Sequence, residues 1–150
     1  MTKLIAIVGT NSKRSTNRQL LQYMQKHFAD KAEIELVEIK DIPVFNKPAN
    51  KQVPEAILEI AAKIEEADGV IIGTPEYDHS IPAVLMSALA WLSYGIYRLL
   101  KQTSDDYRCF LWYAWFISRS IATTSNLELT RNQGNCPSRR ILAFSLSPSI

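Results

Sequence analysis

This sequence contains no long apolar run and has little net charge. No apolar run approaches the roughly eighteen residues that a membrane span needs, so we expect no transmembrane segment and no membrane partner. A formal net charge of +2 is too small to indicate binding to nucleic acid. The chain enters an apolar stretch almost at once, without a cleavable signal pattern, so we expect a cytoplasmic protein.

Cysteine is scarce too, and its placement excludes several classes of protein. The two cysteines, Cys109 and Cys136, both lie in the last third. Two cysteines in a cytoplasmic chain do not form a disulfide framework, and no ligand spacing predicts a metal site. A phosphatase with a cysteine nucleophile is excluded, because the first hundred residues contain no cysteine. A length of 150 residues predicts one domain with a hydrophobic core.

The strongest pattern lies near the amino terminus. Leu4 to Val8 predict a short buried strand that ends at Gly9. An almost wholly polar loop leads into an amphipathic helix of about Ser15 to Ala29. Loop amides and the positive end of the helix favour a phosphate here. Side chains add donors and charge: Thr10, Ser12, Lys13, Arg14, Ser15, Thr16 and Asn17. Alternatively, Ser15 only caps the helix and the two cations are solvated.

Strands and helices alternate over the first hundred residues. After the first helix we predict an exposed strand near residues 34–37, a helix over 53–64, a buried strand over 70–72 and a helix from Pro82 through Trp91. This alternation predicts an α/β fold with parallel strands and right-handed crossovers. Ligands of such sheets bind beyond the carboxyl ends of the strands, where the strand order reverses.

A second polar loop, Thr74 to Ser80, follows the third strand. Its proline and tyrosine suit a flat ring system that is hydrogen-bonded by main-chain groups. In a flavodoxin-like order the first and third strands are neighbours, so the two loops would lie side by side. Together they fit a phosphorylated planar cofactor, and FMN meets that description.

Two ordered motifs resemble the NADPH-dependent FMN reductase family. They are Gly9-Thr10-x-x-x-x-Ser15-x-Asn17 and Pro75-Glu76-Tyr77-x-x-Ser80-x-Pro82, and the resemblance covers residues 2 to about 100. The family contains flavin, quinone, chromate and azo-dye reductases with a flavodoxin-like three-layer sandwich and a parallel sheet of order 2-1-3-4-5. The resemblance implies FMN and NADPH as cofactors, a small-molecule electron acceptor and a homodimer.

The resemblance also implies the binding residues. Thr10, Ser15 and Asn17 would hold the FMN phosphate, while the loop around Tyr77 would border the isoalloxazine ring. The predicted cofactor site comprises Thr10, Ser12, Arg14, Ser15, Thr16, Asn17, Pro75, Glu76, Tyr77, Asp78 and Ser80. No catalytic side chain is predicted, because the flavin carries the chemistry. Two alternatives stay open: His79 either meets the acceptor or is solvated, and Tyr77 either contacts the flavin or packs.

These features predict an FMN-dependent NAD(P)H oxidoreductase. Electrons would pass from NADPH through bound FMN to flavin, quinone or azo acceptors. One alternative is a flavodoxin-type electron carrier, but such proteins are strongly acidic, whereas residues 1–100 hold 11 Lys+Arg and 12 Asp+Glu. The other is a non-catalytic flavin-binding domain.

Residues 101–150 do not continue the pattern. The family would show a fourth strand, a glycine-rich loop, a helix and a fifth strand, but this segment contains a single glycine, Gly134. It is either a divergent half, with Cys109 to Ser118 as the fourth strand, or a foreign tail. We predict a flavin-binding domain over residues 1–100 and an atypical tail of the same domain over 101–150, with the sheet incomplete after strand 3.

A shifted reading frame would explain the tail. Tryptophan has a single codon, so reading one nucleotide later converts the codons of Trp112 and Trp115 into glycine codons. With permitted codon choices, the stretch from Gln102 then reads as a buried strand followed by a glycine-rich loop. We therefore hypothesise a single-nucleotide frameshift near Lys101. It would leave the third strand as an exposed apolar edge and would impair FMN binding.

Overall fold

The computed structural model describes residues 1–49, 52–99 and 140–145. Its elements in chain order are β1 (Thr2–Val8), α1 (Thr16–His27), β2 (Ala32–Glu38), α2 (Glu55–Glu66), β3 (Gly69–Thr74), α3 (Ala83–Leu99) and β4 (Arg140–Ser145). The predicted alternation over the first hundred residues is therefore confirmed. The third helix extends beyond its predicted end, to Leu99.

The sheet is parallel, with the strand order β2-β1-β3-β4. This order agrees with the flavodoxin-like prediction as far as the described strands extend. β1 pairs with β3 in a register that places Val8 opposite Gly73, so the two strands end together. β2 lies at the edge: only Ile34 and Val37 are buried, so the strand is more exposed than β3, as its sequence predicts.

The prediction that β3 is an exposed edge is wrong. β4 pairs with β3 along its length, from Gly69 opposite Arg140 to Thr74 opposite Ser145. A buried strand needs partners for its backbone N–H and C=O groups, and residues 140–145 supply them on this side. The alternative fourth strand, Cys109 to Ser118, lies outside the described residues, and the frameshift stays a hypothesis.

Helices cover both faces of the sheet. On one face, Ala6, Val8 and Ile71 of the strands form a cluster with Leu21 of α1. On the other face, alternate strand residues pack against α2 and α3 in a larger cluster. Residues alternate between the faces because successive side chains of a strand point to opposite sides. The result is the predicted three-layer arrangement.

Three leucines of α3 belong to the core. Leu85, Leu89 and Leu92 suit a dimer surface or a core equally well as sequence, and all three are buried inside the larger cluster. Trp91 is buried beside them, and its Nε1 donates to the carbonyl oxygen of Pro43 over 2.8 Å. This bond ties the loop after β2 to α3.

Candidate functional site

The carboxyl ends of β1 and β3 meet at a close backbone contact. The amide of Gly9 donates to the carbonyl oxygen of Gly73 over 2.7 Å. A Cβ added at Gly9 would lie 2.8 Å from Thr74 Cβ and 2.9 Å from Leu85 Cδ2, so only glycine fits here. The buried Thr74 hydroxyl lies 3.4 Å from the Gly9 carbonyl oxygen. Two loops therefore leave the sheet side by side: the first loop (residues 9–15) and the second loop (residues 75–80).

Hydrogen bonds within the first loop fix its path. The buried Thr10 turns the chain through a bond from its amide to the Val8 carbonyl oxygen, 2.8 Å long. Its hydroxyl oxygen accepts from the Ser12 amide over 3.2 Å. The Ser12 hydroxyl donates to the Arg14 carbonyl oxygen over 2.8 Å. Each of these bonds joins residues two positions apart, so the loop is compact.

Ser15 caps α1, as one of the two predicted alternatives requires. Its hydroxyl oxygen accepts from the Arg18 amide over 3.2 Å, which satisfies one of the free amides at the helix start. This bond uses the oxygen as an acceptor and leaves the hydroxyl proton free to donate. Capping and anion binding by Ser15 are therefore compatible. The neighbouring Asn17 is buried in the first turn of the helix.

Arg18 contacts the first loop, and sequence reasoning gave it no role. Its Nε donates to Glu38 Oε1 over 2.6 Å and its Nη2 to Glu38 Oε2 over 2.9 Å. Its Nη1 donates to the carbonyl oxygen of Ser12 over 2.6 Å. The hydrogen bond to Glu38 raises the pKa of Arg18 above its usual value. A signal was present, since a cation in the first turn of a helix is unfavourable unless a carboxylate compensates it, and that turn contains no acid.

The second loop contains a tight turn. Tyr77 and Ser80 exchange two backbone hydrogen bonds of 2.9 and 3.0 Å. The residues between them, Asp78 and His79, have φ values of 51° and 58°. Positive φ at both central positions is the geometry of a type I′ turn, which glycine and asparagine favour. This turn projects the Tyr77 ring, which is 51% exposed.

His79 is almost fully exposed to solvent. Its side chain is 91% exposed, and its Nδ1 lies 3.7 Å from Glu76 Oε1. The structure thus favours the solvated alternative for His79, with Glu76 as an ionic partner when the imidazole is protonated. Pro75 is buried at the end of β3 and holds the start of the loop.

An open cleft of about 660 Å³ lies beside the second loop. Its walls come from the loop after β2, the Tyr77–Ser80 turn and the first turns of α3. The Phe45 amide donates to the Ser87 hydroxyl over 2.8 Å, which pins one wall to α3. Most lining side chains are apolar: Val44, Phe45, Tyr77, Ile81, Pro82, Ala83, Met86 and Ala90, with Asp78, Ser80 and Ser87 as the polar members.

The predicted site residues divide into two groups by loop. Thr10, Ser12, Arg14, Ser15, Thr16 and Asn17 lie in the first loop and the start of α1; Pro75, Glu76, Tyr77, Asp78 and Ser80 lie in the second loop. Thr10, Asn17 and Pro75 are buried, whereas Arg14, Thr16, Tyr77 and Asp78 are exposed. Hydroxyl and amide donors surround a helix start in the first group, and an exposed ring projects from the second. This donor set fits a phosphate at one loop and a flat ring at the other.

Two features, a cluster of metal-binding side chains and a membrane-spanning helix, are absent from the part of the chain that the structure describes. There, no group of three or more histidine, cysteine, aspartate or glutamate side chains could hold a metal ion. Of the described helices, none combines the length and the hydropathy that a membrane crossing demands.

Comparison with known proteins identifies a family and relatives of this chain. A family model described as NADPH-dependent FMN reductase matches residues 2–110. The NADH:(hydroxy)cinnamate reductase subunit CrdA of Vibrio ruber is 60% identical over 90 residues, which cover 60% of this chain and 45% of that protein. The NADH-dependent flavin reductase subunit 2 of Lactobacillus johnsonii is 55% identical over 89 residues, which cover 59% and 47%.

A solved structure supports the fold. FerB, a flavoenzyme NAD(P)H:(acceptor) oxidoreductase from Paracoccus denitrificans, is 32% identical to the chain, with a TM-score of 0.55. The match covers 61% of this chain and 50% of that one. The chain spans about half the length of the curated relatives it matches.

Proposed function

The chain belongs to the NADPH-dependent FMN reductase family, and on this premise we propose that it binds FMN between its first and second loops. One observation carries the proposal: the 2.7 Å bond from the Gly9 amide to the Gly73 carbonyl oxygen, which starts both loops at one point of the sheet edge. Ligands of parallel α/β sheets bind at such an edge. The two ends of a long cofactor can therefore reach loops of different chemistry.

The first loop would hold the FMN phosphate. The buried Thr10 and Asn17 and the hydroxyl proton of Ser15 are its proposed inner contacts. Ser12, Arg14 and Thr16 would contribute from the more exposed side, where the Arg14 guanidinium adds a full positive charge. The start of α1 adds the positive end of the helix dipole.

The second loop would border the flavin ring. The Tyr77 ring is half exposed and stands on a turn closed by two backbone bonds, so it can stack without moving the loop. Pro75 and Glu76 fix the approach to the turn, and Asp78 and Ser80 flank the tyrosine. In this proposal these residues bind and orient the ring, and none of them transfers a proton.

The proposed activity is FMN-dependent NAD(P)H oxidation. Bound FMN supplies hydride acceptance from a nicotinamide and electron delivery to a second substrate. We propose NADPH as the donor and a flavin, quinone or azo compound as the acceptor. The acceptor would bind in the cleft beside Tyr77. The walls of this cleft are mostly apolar, as a flat aromatic acceptor requires, and the second loop forms one of them. A homodimer is part of the same proposal, and the exposed Val44 and Met86 at the cleft are apolar surface available for it.

An absorption spectrum tests the proposal. β4 covers the edge of β3 whose exposure was expected to impair FMN binding. After FMN addition and gel filtration, the purified chain is therefore expected to retain about one flavin per chain, and the complex is expected to oxidise NADPH. Tyr77→Ala should weaken FMN binding about 3- to 10-fold, the range that an aromatic contact supplies. Tyr23→Ala, at a similarly exposed tyrosine on α1, is the matched control and should bind as the wild type does.

The outcomes separate the alternatives. A chain that leaves the column colourless contradicts the proposal. A yellow chain that does not oxidise NADPH is a flavin-binding domain without catalysis. A yellow chain whose reduction stops at the one-electron state is a flavodoxin-type carrier.

A further inference from the structure

Arg18 joins the first loop to the end of β2. Its planar guanidinium binds both carboxylate oxygens of Glu38, and its Nη1 lies 2.6 Å from the Ser12 carbonyl oxygen and 3.4 Å from that of Lys13. The side chain therefore spans two elements at once. Lysine could not do the same, since a single ammonium lacks the fork geometry.

Three successive carbonyl groups of the first loop are engaged by side chains. Arg18 holds those of Ser12 and Lys13, and the Ser12 hydroxyl holds that of Arg14 over 2.8 Å. Because C=O and N–H point in opposite directions across a trans peptide, the amides of Lys13, Arg14 and Ser15 point away from these partners. Within residues 1–49 and 52–99, none of these three amides donates to an acceptor.

This arrangement has the polarity that an anion requires. Amides without an acceptor attract a phosphate, whereas a carbonyl oxygen turned toward it would repel it. We propose that Arg18 is a positioning residue for the FMN phosphate: it turns two carbonyls of the first loop outward and so presents the following amides to the ligand. This inference rests on the proposed function, since it assumes that the first loop receives the phosphate.

Glu38 is the ionic partner of Arg18. Its carboxylate orients the guanidinium and compensates a cation at the positive end of α1. Arg18 itself is largely occupied by Glu38 and the two carbonyls, so its main effect on the ligand is through loop geometry. If Arg18 acts through loop geometry, Arg18→Lys should lose FMN affinity. If Arg18 acts only through its positive charge, Arg18→Lys should keep that affinity.

The test compares FMN with riboflavin, which has the same ring and no phosphate. Dissociation constants come from the quenching of flavin fluorescence. Arg18→Met is expected to raise the constant for FMN about tenfold, as the loss of charge-assisted bonds implies, and to leave that for riboflavin within about twofold. Arg18→Lys is expected to recover little of the FMN affinity. Lys63→Met removes the 2.7 Å ion pair to Glu35, which joins α2 to β2 outside the first loop, and is the matched control.

Each outcome bears on a separate claim. If the wild type binds neither flavin, the proposed function fails, and this inference with it. If the wild type binds FMN, the inference alone is refuted by an equal loss of both flavins in Arg18→Met, by full recovery in Arg18→Lys, or by a Lys63→Met effect of the same size. A loss confined to FMN in both Arg18 variants supports it.

Discussion

Gly9 offers the sharpest test of how the two loops are brought together. Gly9→Ala would place a Cβ 2.8 Å from Thr74 Cβ, 2.9 Å from Leu85 Cδ2 and 3.0 Å from the Gly73 carbonyl oxygen. The Gly73 carbonyl oxygen is a backbone atom of β3, and Thr74 Cβ is bonded to that backbone. Neither is the end of a flexible side chain, so neither can move aside to relieve the clash. Thr74 and Leu85 are fully buried. The ends of β1 and β3 must therefore separate.

The expected cost follows from overpacking. Inserting a methyl group into a packed core typically costs about 1–3 kcal/mol, and the number of close contacts places Gly9→Ala near the upper end. Gly95→Ala in α3 is the matched control, because its Cβ would meet only side-chain methyl groups, at 3.3 and 3.4 Å. In a helix interior that change also gains about 0.5–1 kcal/mol of intrinsic propensity.

Urea denaturation followed by circular dichroism measures both variants. With a denaturant slope of about 2 kcal/mol per molar, a cost near 3 kcal/mol should lower the Gly9→Ala midpoint by roughly 1.5 M. Gly95→Ala should leave it unchanged or raise it. A Gly9→Ala midpoint equal to that of the wild type, or to that of Gly95→Ala, would refute the close contact of β1 and β3.

Three further predictions address other parts of the molecule. His79→Gly should hold or raise the melting temperature, while His79→Val should cost about 1–2 kcal/mol at a φ of 58°; equal effects would contradict the positive φ. Glu66 raises the pKa of Lys3 above 10.5 through a hydrogen bond, so the contribution of this pair to stability is complete below that value and is lost as the pH rises through the higher folded pKa. The stability deficit of Lys3→Met, measured by urea denaturation, should therefore persist up to about pH 10.5 and disappear only at higher pH. A deficit that stays unchanged well above that pH would contradict this linkage. Sequencing the gene should reveal a one-base offset near the Lys101 codon that restores a strand and a glycine-rich loop, and its absence ends the frameshift hypothesis.

The order of elements could be predicted from the sequence because local patterns encode it. The apolar runs of β1 and β3 are short, continuous and bounded by glycine, which is typical of strands buried on both faces. The position of β2 at the edge followed from its alternation with glutamates. Ser15 as a helix cap could also be anticipated, since serine before an amphipathic run is a common helix start.

The features that were missed depend on contacts distant in sequence. Arg18 and Glu38 are 20 residues apart, and no local pattern joins them. The pairing of β3 with residues 140–145 joins segments about 70 positions apart, and the composition of the tail gave no sign of it. The type I′ turn was hidden because Asp78 and His79 occupy positions where glycine or asparagine would have indicated it.

An amide NMR titration tests the central claim most directly, because it reports on both loops at once. FMN is expected to shift the amides of residues 10–17 together with those of Glu76 and Tyr77, while inorganic phosphate shifts the first group alone. Shifts in only one loop on addition of FMN, or in neither, would show that the two loops do not hold one cofactor.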